Sequence, residues 1–335
     1  MSYQRKSRNI RDLAEKAGVT AATVSLALHD SPRLSSEVKE RIRRIAAEDD
    51  FTPRRYTRRL PARPPKRFSH LGPILFVDNH EDEEDPVGEG LFAAFARQMN
   101  LYGVEFRSIN DADLVREPEV VREFSGVFFY NDPRIAPLLP EEIPSVQVFG
   151  WEKLRANGDR VTTDDSGVVD IAVDFFRHAG VARVIQVWRH DILREDHPRL
   201  RLFRERMEAV EIPVTGLCYR KYASDFVDLL REAVAAGSEN LGFFGVSALC
   251  GLKLCCGLDS LGLMKQYGAS NVVVCDNTVL VKSFWPCPNL IDLNLSVMAD
   301  RALEALFYRM EHAGTPGCIT YQSPRLLPSP SMPVS

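Results

Sequence analysis

Seventeen lysines and arginines lie in the first 67 residues against eight acids, a net of +9, while the other 268 residues carry 25 against 38, a net of −13. Cations at that density are phosphate-binding chemistry. Each phosphate they neutralise releases counterions, so a basic head on an acidic body is the electrostatic footprint of a nucleic-acid-binding module joined to something else. Covalent chemistry has no comparable signature. No G-x-G-x-x-G follows a strand-like run, and neither G-x-x-x-x-G-K-[ST] nor G-x-S-x-G occurs. His178, His190 and His197 fit no H-E-x-x-H or other zinc pattern. The acidic run Glu81–Asp85 lacks the alternating ligands and glycine of a calcium loop and reads as solvated. Cys250, Cys255 and Cys256 lie on a helix-like run with no further ligands nearby, as buried thiols do. The expectation is a binding protein, not an enzyme, with no cofactor and no metal.

The elements that must position the basic groups are short helices. Ile10, Leu13, Ala14 and Ala17 recur at i, i+3, i+4 and i+7, with Asn9 placed to cap the start and Gly18 to close the end. Thr20 can cap a second helix with Val24 and Leu28 inward, and Val38, Ile42 and Ile45 mark a third, capped near Ser35 or Ser36. Two helices joined by a tight glycine turn form a helix-turn-helix, and a third completes a small core.

These residues resemble the N-terminus of the lactose-repressor (LacI/GalR) family. The resemblance runs through IRDLAEKAGVTAATVSLAL, then SPRLSSEVKERIRRIA, then Phe51-Thr52-Pro53. It implies that the helix from Thr20 to His29 enters the major groove. Ala21, Ala22, Ser25 and Leu26 would then face base edges, Thr20, Thr23 and Ser35 would hold phosphates, and His29 and Arg33 belong to the same contacting set. Phosphate contacts fix register; base edges supply sequence. Many relatives carry arginine where Leu26 stands. Leucine and alanine touch thymine methyls or exclude wrong groups, so this reader has few hydrogen-bond donors and an operator of its own.

Residues 52–67, TPRRYTRRLPARPPKR, open with a proline suited to a first helical turn, and Pro61 ends it after one or two turns. Pro64 and Pro65 then impose an extended linker. The resemblance makes this a hinge helix that pairs across a dimer and enters the minor groove, with Leu60 wedged between base pairs. Thr57 replaces the family's small alanine. Arg54 and Arg55 replace milder residues, adding cations for phosphate.

From Leu71 onward, short apolar runs alternate with longer amphipathic segments. Strands are expected at Pro73–Val77, Val104–Arg107, Gly126–Tyr130, Ser145–Phe149, Val184–Trp188, Leu241–Gly245 and Asn271–Cys275. Helices are expected at Leu91–Leu101, Gly167–Ala179, Pro198–Val210, Ser224–Ala236, Ser247–Leu261 and Val297–Glu311. That alternation predicts parallel sheets with helices on both faces. A length of 335 residues accommodates two such lobes behind a small head. The expected domains are a helix-turn-helix head at 1–52, a hinge and linker at 53–68, and a two-lobed α/β body at 69–335. For that body the resemblance implies the family's periplasmic-binding-protein-like fold. No signal-peptide or membrane-spanning run is visible, and seven cysteines without framework spacing suit a reducing compartment, so a cytoplasmic, nucleoid-associated protein is expected.

The resemblance continues, more thinly, through the body. Val161–Gly180 is similar to the family's strand-Asp-helix segment, with Asp164 at the acidic position. Arg199-Leu200-Arg201-Leu202-Phe203 is similar to the start of its effector-binding helix, with Arg201 as the gripping arginine. Val272–Asn277 puts Asp276 at a ligand-contacting position, and Pro286–Leu293 resembles the return between lobes. Trp285 or Trp151 offers an aromatic face for stacking. The implied protein is a homodimeric regulator, a repressor by the family's habit, reading a pseudo-palindromic operator on double-stranded DNA. A sugar or related metabolite would control it through Asp164, Arg201, Asp276 and Trp285. The departures leave a second reading open. Gly245 and Val246 stand where the family has Asn-Asp, and DNHEDEEDPVG lacks the family's aromatics. On that reading the body binds a protein partner or only dimerises.

Overall fold

The computed structural model describes residues 10–20, 23, 24, 27, 35–48, 72–78, 86–130, 134–150, 154–190, 195–222, 224–237 and 240–330. The chain divides into two compact units, Met1–Pro64 and Pro65–Ser335.

In the first unit, the helix Ile10–Ala17 ends at Gly18, whose φ of +63° is the left-handed cap expected of glycine. Thr20 Oγ1 accepts the amide hydrogen of Thr23 at 3.1 Å, the N-cap predicted for the second helix, of which Thr23, Val24 and Ala27 are described as helical. The helix Ser36–Glu48 follows, with Ser35 Oγ accepting from the Val38 amide. Leu13, Ala14, Ala17, Val24, Ala27, Ile42 and Ala46 form the core, with Val38 and Ile45 half-buried against it. The expected inward position Leu28 and cap Asn9 lie outside the described residues.

The second unit contains two parallel sheets. Its strands are β1 (Ile74–Asp78), β2 (Phe106–Asn110), β3 (Gly126–Tyr130), β4 (Ser145–Val148), β5 (Gly158–Thr163), β6 (Arg183–Arg189), β7 (Val214–Tyr219), β8 (Leu241–Gly245), β9 (Val272–Cys275), β10 (Asn289–Asp292), β11 (Ile319–Gln322) and β12 (Arg325–Leu327). The first sheet runs β11-β5-β4-β3-β1-β2 and the second β12-β10-β9-β8-β6-β7, the same order twice. All pairings are parallel except that of β12. The expected strands are present, with ends that differ by up to three residues, but the pattern did not mark β5, β7, β10, β11 and β12. In β7 the exposed side of the strand, Gly216 and Cys218, breaks the apolar run.

Three crossings join the lobes, and all leave from carboxyl ends of strands. β5 passes through Asp164 into the helix Asp165–His178, β10 through Asn294 into the helix Leu295–Glu311, and β11 through 323–324 into β12. The carboxyl edges of both sheets therefore face each other. That is also the edge where open α/β sheets bind ligands, at the switch points between β1 and β3 and between β6 and β8. The crossings are tied together. The Asp164 amide donates to the Gln322 carbonyl at 3.0 Å and Asn294 Nδ2 to the Ser323 carbonyl at 3.2 Å. The Asp292 carboxylate accepts from the Asn294 amide and from Arg325.

Lobe 2 packs its helix Ala248–Ser260 directly onto β8. A Cβ on Gly245 would lie 2.6 Å from the Gly251 Cα, so glycine is required where these backbones touch. In lobe 1 the buried Arg309 holds Asp159 through two hydrogen bonds of 3.0 and 2.5 Å and also donates to the Thr315 and Pro316 carbonyls. The pair fixes the long helix Leu295–Glu311 and the approach to β11 onto β5. Breaking a buried pair from one side costs about 3–5 kcal/mol, whereas replacing both partners with apolar groups costs far less. Arg309→Met should lower the urea midpoint of the body strongly, and adding Asp159→Leu should recover much of the loss.

Candidate effector cleft and DNA-binding head

At the facing edge of lobe 2, the helix Pro198–Ala209 begins with His197 as its N-cap, the imidazole Nδ1 accepting the Arg199 amide hydrogen at 3.1 Å. Arg199, Leu200, Phe203 and Met207 form the buried face. The first of these is an arginine, 8% exposed, and a buried guanidinium needs acceptors on every edge. Nε and Nη2 both donate to Asp165 Oδ1, at 3.0 and 2.7 Å. Nη1 donates to the Val246 carbonyl at 2.8 Å and to Cys275 Sγ at 3.4 Å. Burial disfavours the charge, yet Cys275, Asp165 and Asp276 hold the pKa of Arg199 above the ordinary arginine value.

Arg199 thus gathers the start of one helix, the first residue of another and the ends of β8 and β9. Arg206 strengthens the same join from the next turn, donating to the Ser166 carbonyl and hydroxyl and to Asp170. Asp276 follows β9, is 2% exposed and has a φ of +151°, a conformation that side chains other than glycine rarely adopt. Its Oδ1 accepts the Asn277 amide hydrogen at 2.8 Å. Burial pushes the Cys275 thiol up to about 12, so it stays neutral beside the guanidinium. His197 is pushed down to about 4 by burial first and by the Arg199 charge second, against the opposing pull of Asp165 and Asp196.

On the facing edge of lobe 1, Tyr130 ends β3 and Phe149 follows β4, their rings edge-on at 5.8 Å. Both are half-buried. The cleft therefore pairs an aromatic side with a side of fixed charges and hydrogen-bonding groups, a combination that holds small ligands with both an apolar face and hydroxyls.

The nominated residues divide accordingly. Asp276 is buried just past the carboxyl end of β9. Arg201 is not: it is exposed and paired with Glu205 at 2.8 Å, one turn along the same helix. The inward arginine is Arg199, because positions 199, 203 and 207 share the face that carries Phe203 and Met207. Asp164 caps the helix Asp165–His178 by accepting from the Gly167 amide at 3.0 Å, and its neighbour Asp165 is the acid that meets the arginine. Trp285 is 75% exposed, beside the exposed Val279 and Leu280, and is not among the groups around Arg199. Val246 contributes its carbonyl, which no reading of side chains reveals. Sequence reasoning missed Arg199, Asp165, His197, Tyr130 and Phe149; the i, i+4 spacing of Arg199, Phe203 and Met207 was the available signal for the first.

In the head, Thr20 and Ser35 are exposed at helix starts and Thr23 is half-buried, hydrogen-bonded to Thr20. Ala21, Ala22, Ser25, Leu26, His29, Arg33, Arg54, Arg55, Thr57 and Leu60 lie outside the described residues, as do Glu81–Asp85 and Trp151. Among the described residues, no group of three or more His, Cys, Asp or Glu could hold a metal ion, and no helix is long and apolar enough to cross a membrane.

A small helical head is followed in the chain by two parallel-sheet lobes joined by three crossings, a periplasmic-binding-protein-like core. Comparison specifies the class. Residues 9–54 match the family model of bacterial regulatory proteins, lacI family. The chain therefore carries a LacI-type DNA-binding head, and over nearly its whole length it shares the fold of solved LacI-family structures. Its fold is similar to that of the transcriptional regulator CelR in complex with cellobiose, at 17% identity and a TM-score of 0.63, covering 97% of this chain and 100% of that one. It is similar to the lac repressor dimer bound to operator and the anti-inducer ONPF, at 14% identity and a TM-score of 0.58, covering 97% and 98%. It is also similar to a LacI family regulator from Arthrobacter sp. FB24 in complex with lactose, at 14% identity and a TM-score of 0.65, covering 78% and 100%. A sequence search of curated proteins gives no match.

Two measurements separate the arginines and test the buried histidine. Arg199→Met strands Asp165 and should cost about 3–5 kcal/mol, whereas Arg201→Met breaks only a surface pair and should stay within about 1 kcal/mol. Unfolding midpoints in urea distinguish them. His197 binds its proton less readily folded than unfolded, so its contribution to stability is complete above about 6.5 and is lost as pH falls toward about 4. The slope approaches about 1.4 kcal/mol per pH unit in that window. His197→Asn keeps an acceptor for the Arg199 amide and does not titrate, so its stability should fall less steeply over the same range.

Proposed function

We propose that this regulator binds a two-fold symmetric operator as a homodimer and that a small polyhydroxylated molecule, of the sugar class, controls it from the cleft between the lobes. The head covers residues 1–52, the hinge 53–68 and the effector-binding and dimerisation body 69–335. Within the head, Thr20, Ala21, Ala22, Thr23, Ser25, Leu26, His29, Arg33 and Ser35 contact the major groove and its phosphates. In the hinge, Arg54, Arg55 and Thr57 hold the backbone while Leu60 wedges the central step.

The observation that carries the effector reading is the buried Arg199–Asp165 pair at the meeting edges of two sheets, opposite Tyr130 and Phe149. Charged groups that deep in a cleft are pre-set acceptors and donors for neighbouring hydroxyls, with Asp276 beside them. The sugars named with two structural relatives, cellobiose and lactose, support the class. Effector binding changes the relative population of lobe arrangements, and so of hinge arrangements competent for DNA. The coupling is reciprocal, so operator binding alters effector affinity by the same factor. Repression is the output.

Selection of bound DNA from random sequence, at stated salt, tests the DNA half. A two-fold symmetric motif with a deformable centre is expected; single half-sites would overturn the dimeric reader. With that operator, Leu60→Ala should weaken specific affinity roughly ten-fold or more, as loss of about 1.4 kcal/mol or more implies, while sparing non-specific binding. Unchanged operator affinity would remove the wedge. Sugars are then screened for a shift in operator affinity, and Asp276→Asn should abolish that shift. A response that survives it, or a response only to a protein, would favour a body that recognises a partner.

A further inference from the structure

Phe149 has a φ of +63° and is followed by Gly150 at +84°. Glycine adopts that region freely, but in any other L-residue the Cβ crowds the following carbonyl, and a bulky phenylalanine there is a conformational outlier. Something must hold it. Its amide donates to the Val161 carbonyl at 2.9 Å, which anchors the backbone to β5. Its ring meets Tyr130 and packs against the cores of both lobes. Among the described half-buried side chains, Leu295 alone shares that double contact, and Leu295 begins the helix that follows a crossing. Phe149 is on no crossing, so its ring is a non-covalent tie between lobes that the chain connects elsewhere.

We propose that Phe149 is a strained latch coupling the lobe angle to the shape of the cleft. While its ring contacts lobe 2, that contact offsets the left-handed backbone. When the lobes rotate apart the offset is lost, and residues 149 and 150 relax toward extended backbone. Lobe opening and remodelling of the lobe 1 wall are then one event, which makes the cleft two-state instead of continuously adjustable. The latch rests on the fold and on no particular ligand, so it can fail while the effector reading stands, and the reverse.

The full-length protein without effector serves for the test, with three variants. Phe149→Gly removes the ring and tolerates a left-handed backbone, Phe149→Ala removes the ring and leaves a Cβ that favours the relaxed backbone, and Phe149→Leu keeps part of the contact. Small-angle scattering should show a larger radius of gyration for the glycine and alanine variants, with leucine between them and the parent. Amide exchange at residue 149, whose N–H is held by the Val161 carbonyl, should rise at least ten-fold in the first two. Scattering and exchange identical to the parent in the glycine and alanine variants would overturn the latch.

Discussion

A guanidinium taken out of water must be met on all its edges, and Arg199 is met by one carboxylate, one carbonyl and one thiol from three different parts of lobe 2. None of these groups can move far without stranding a charge, which is the most costly defect a protein interior can contain. The cleft wall therefore inherits its rigidity from electrostatics as much as from the apolar core beneath it. Asp165 begins one helix and Arg199 another, so the pair also sets the angle at which those helices lie side by side, with Arg206 fastening them a turn further along. A ligand arriving at this wall meets groups already oriented, and little ordering cost remains at that moment.

Against that rigid wall stands a joint built for movement. Three chain crossings are the covalent connection between the lobes, and a few hydrogen bonds tie them together at one place, as a hinge requires. The same repeated strand order puts a binding edge on each lobe. Closing the hinge brings the edges together, so ligand affinity and lobe angle are linked by geometry before any particular contact is considered. In the proposed function that angle is relayed to the basic helical head. The separation of charge along the chain also serves this purpose, since an acidic body does not compete with the head for the phosphate backbone.

Much of this was legible in the residues. The head's helix starts and stops were written in Thr20, Gly18 and Ser35, because caps are local chemistry that a short stretch specifies by itself. The principal strands were visible as buried apolar runs. The cleft was legible only in outline. Arg199 and Arg201 are two residues apart in one motif, and the resemblance pointed to the one that is exposed. The helical period marks the buried one, since Arg201 and Glu205 make an i, i+4 surface pair while Arg199 shares its face with Phe203. Asp164 and Asp165 illustrate the same difficulty: adjacent acids at a helix start, one capping the helix and the other reaching across to an arginine thirty-four residues away.

By itself, then, the sequence determined the outline: a basic three-helix head and an alternating α/β body. Those features rest on composition, periodicity and caps, whose physics acts over a few residues. The tertiary structure alone decided which arginine is buried, that the Val246 backbone accepts from it, that glycine must stand at 245, and that Phe149 is held left-handed between two cores. Each of these depends on groups brought together from distant parts of the chain, where packing and desolvation choose among side chains that look equivalent when read in order.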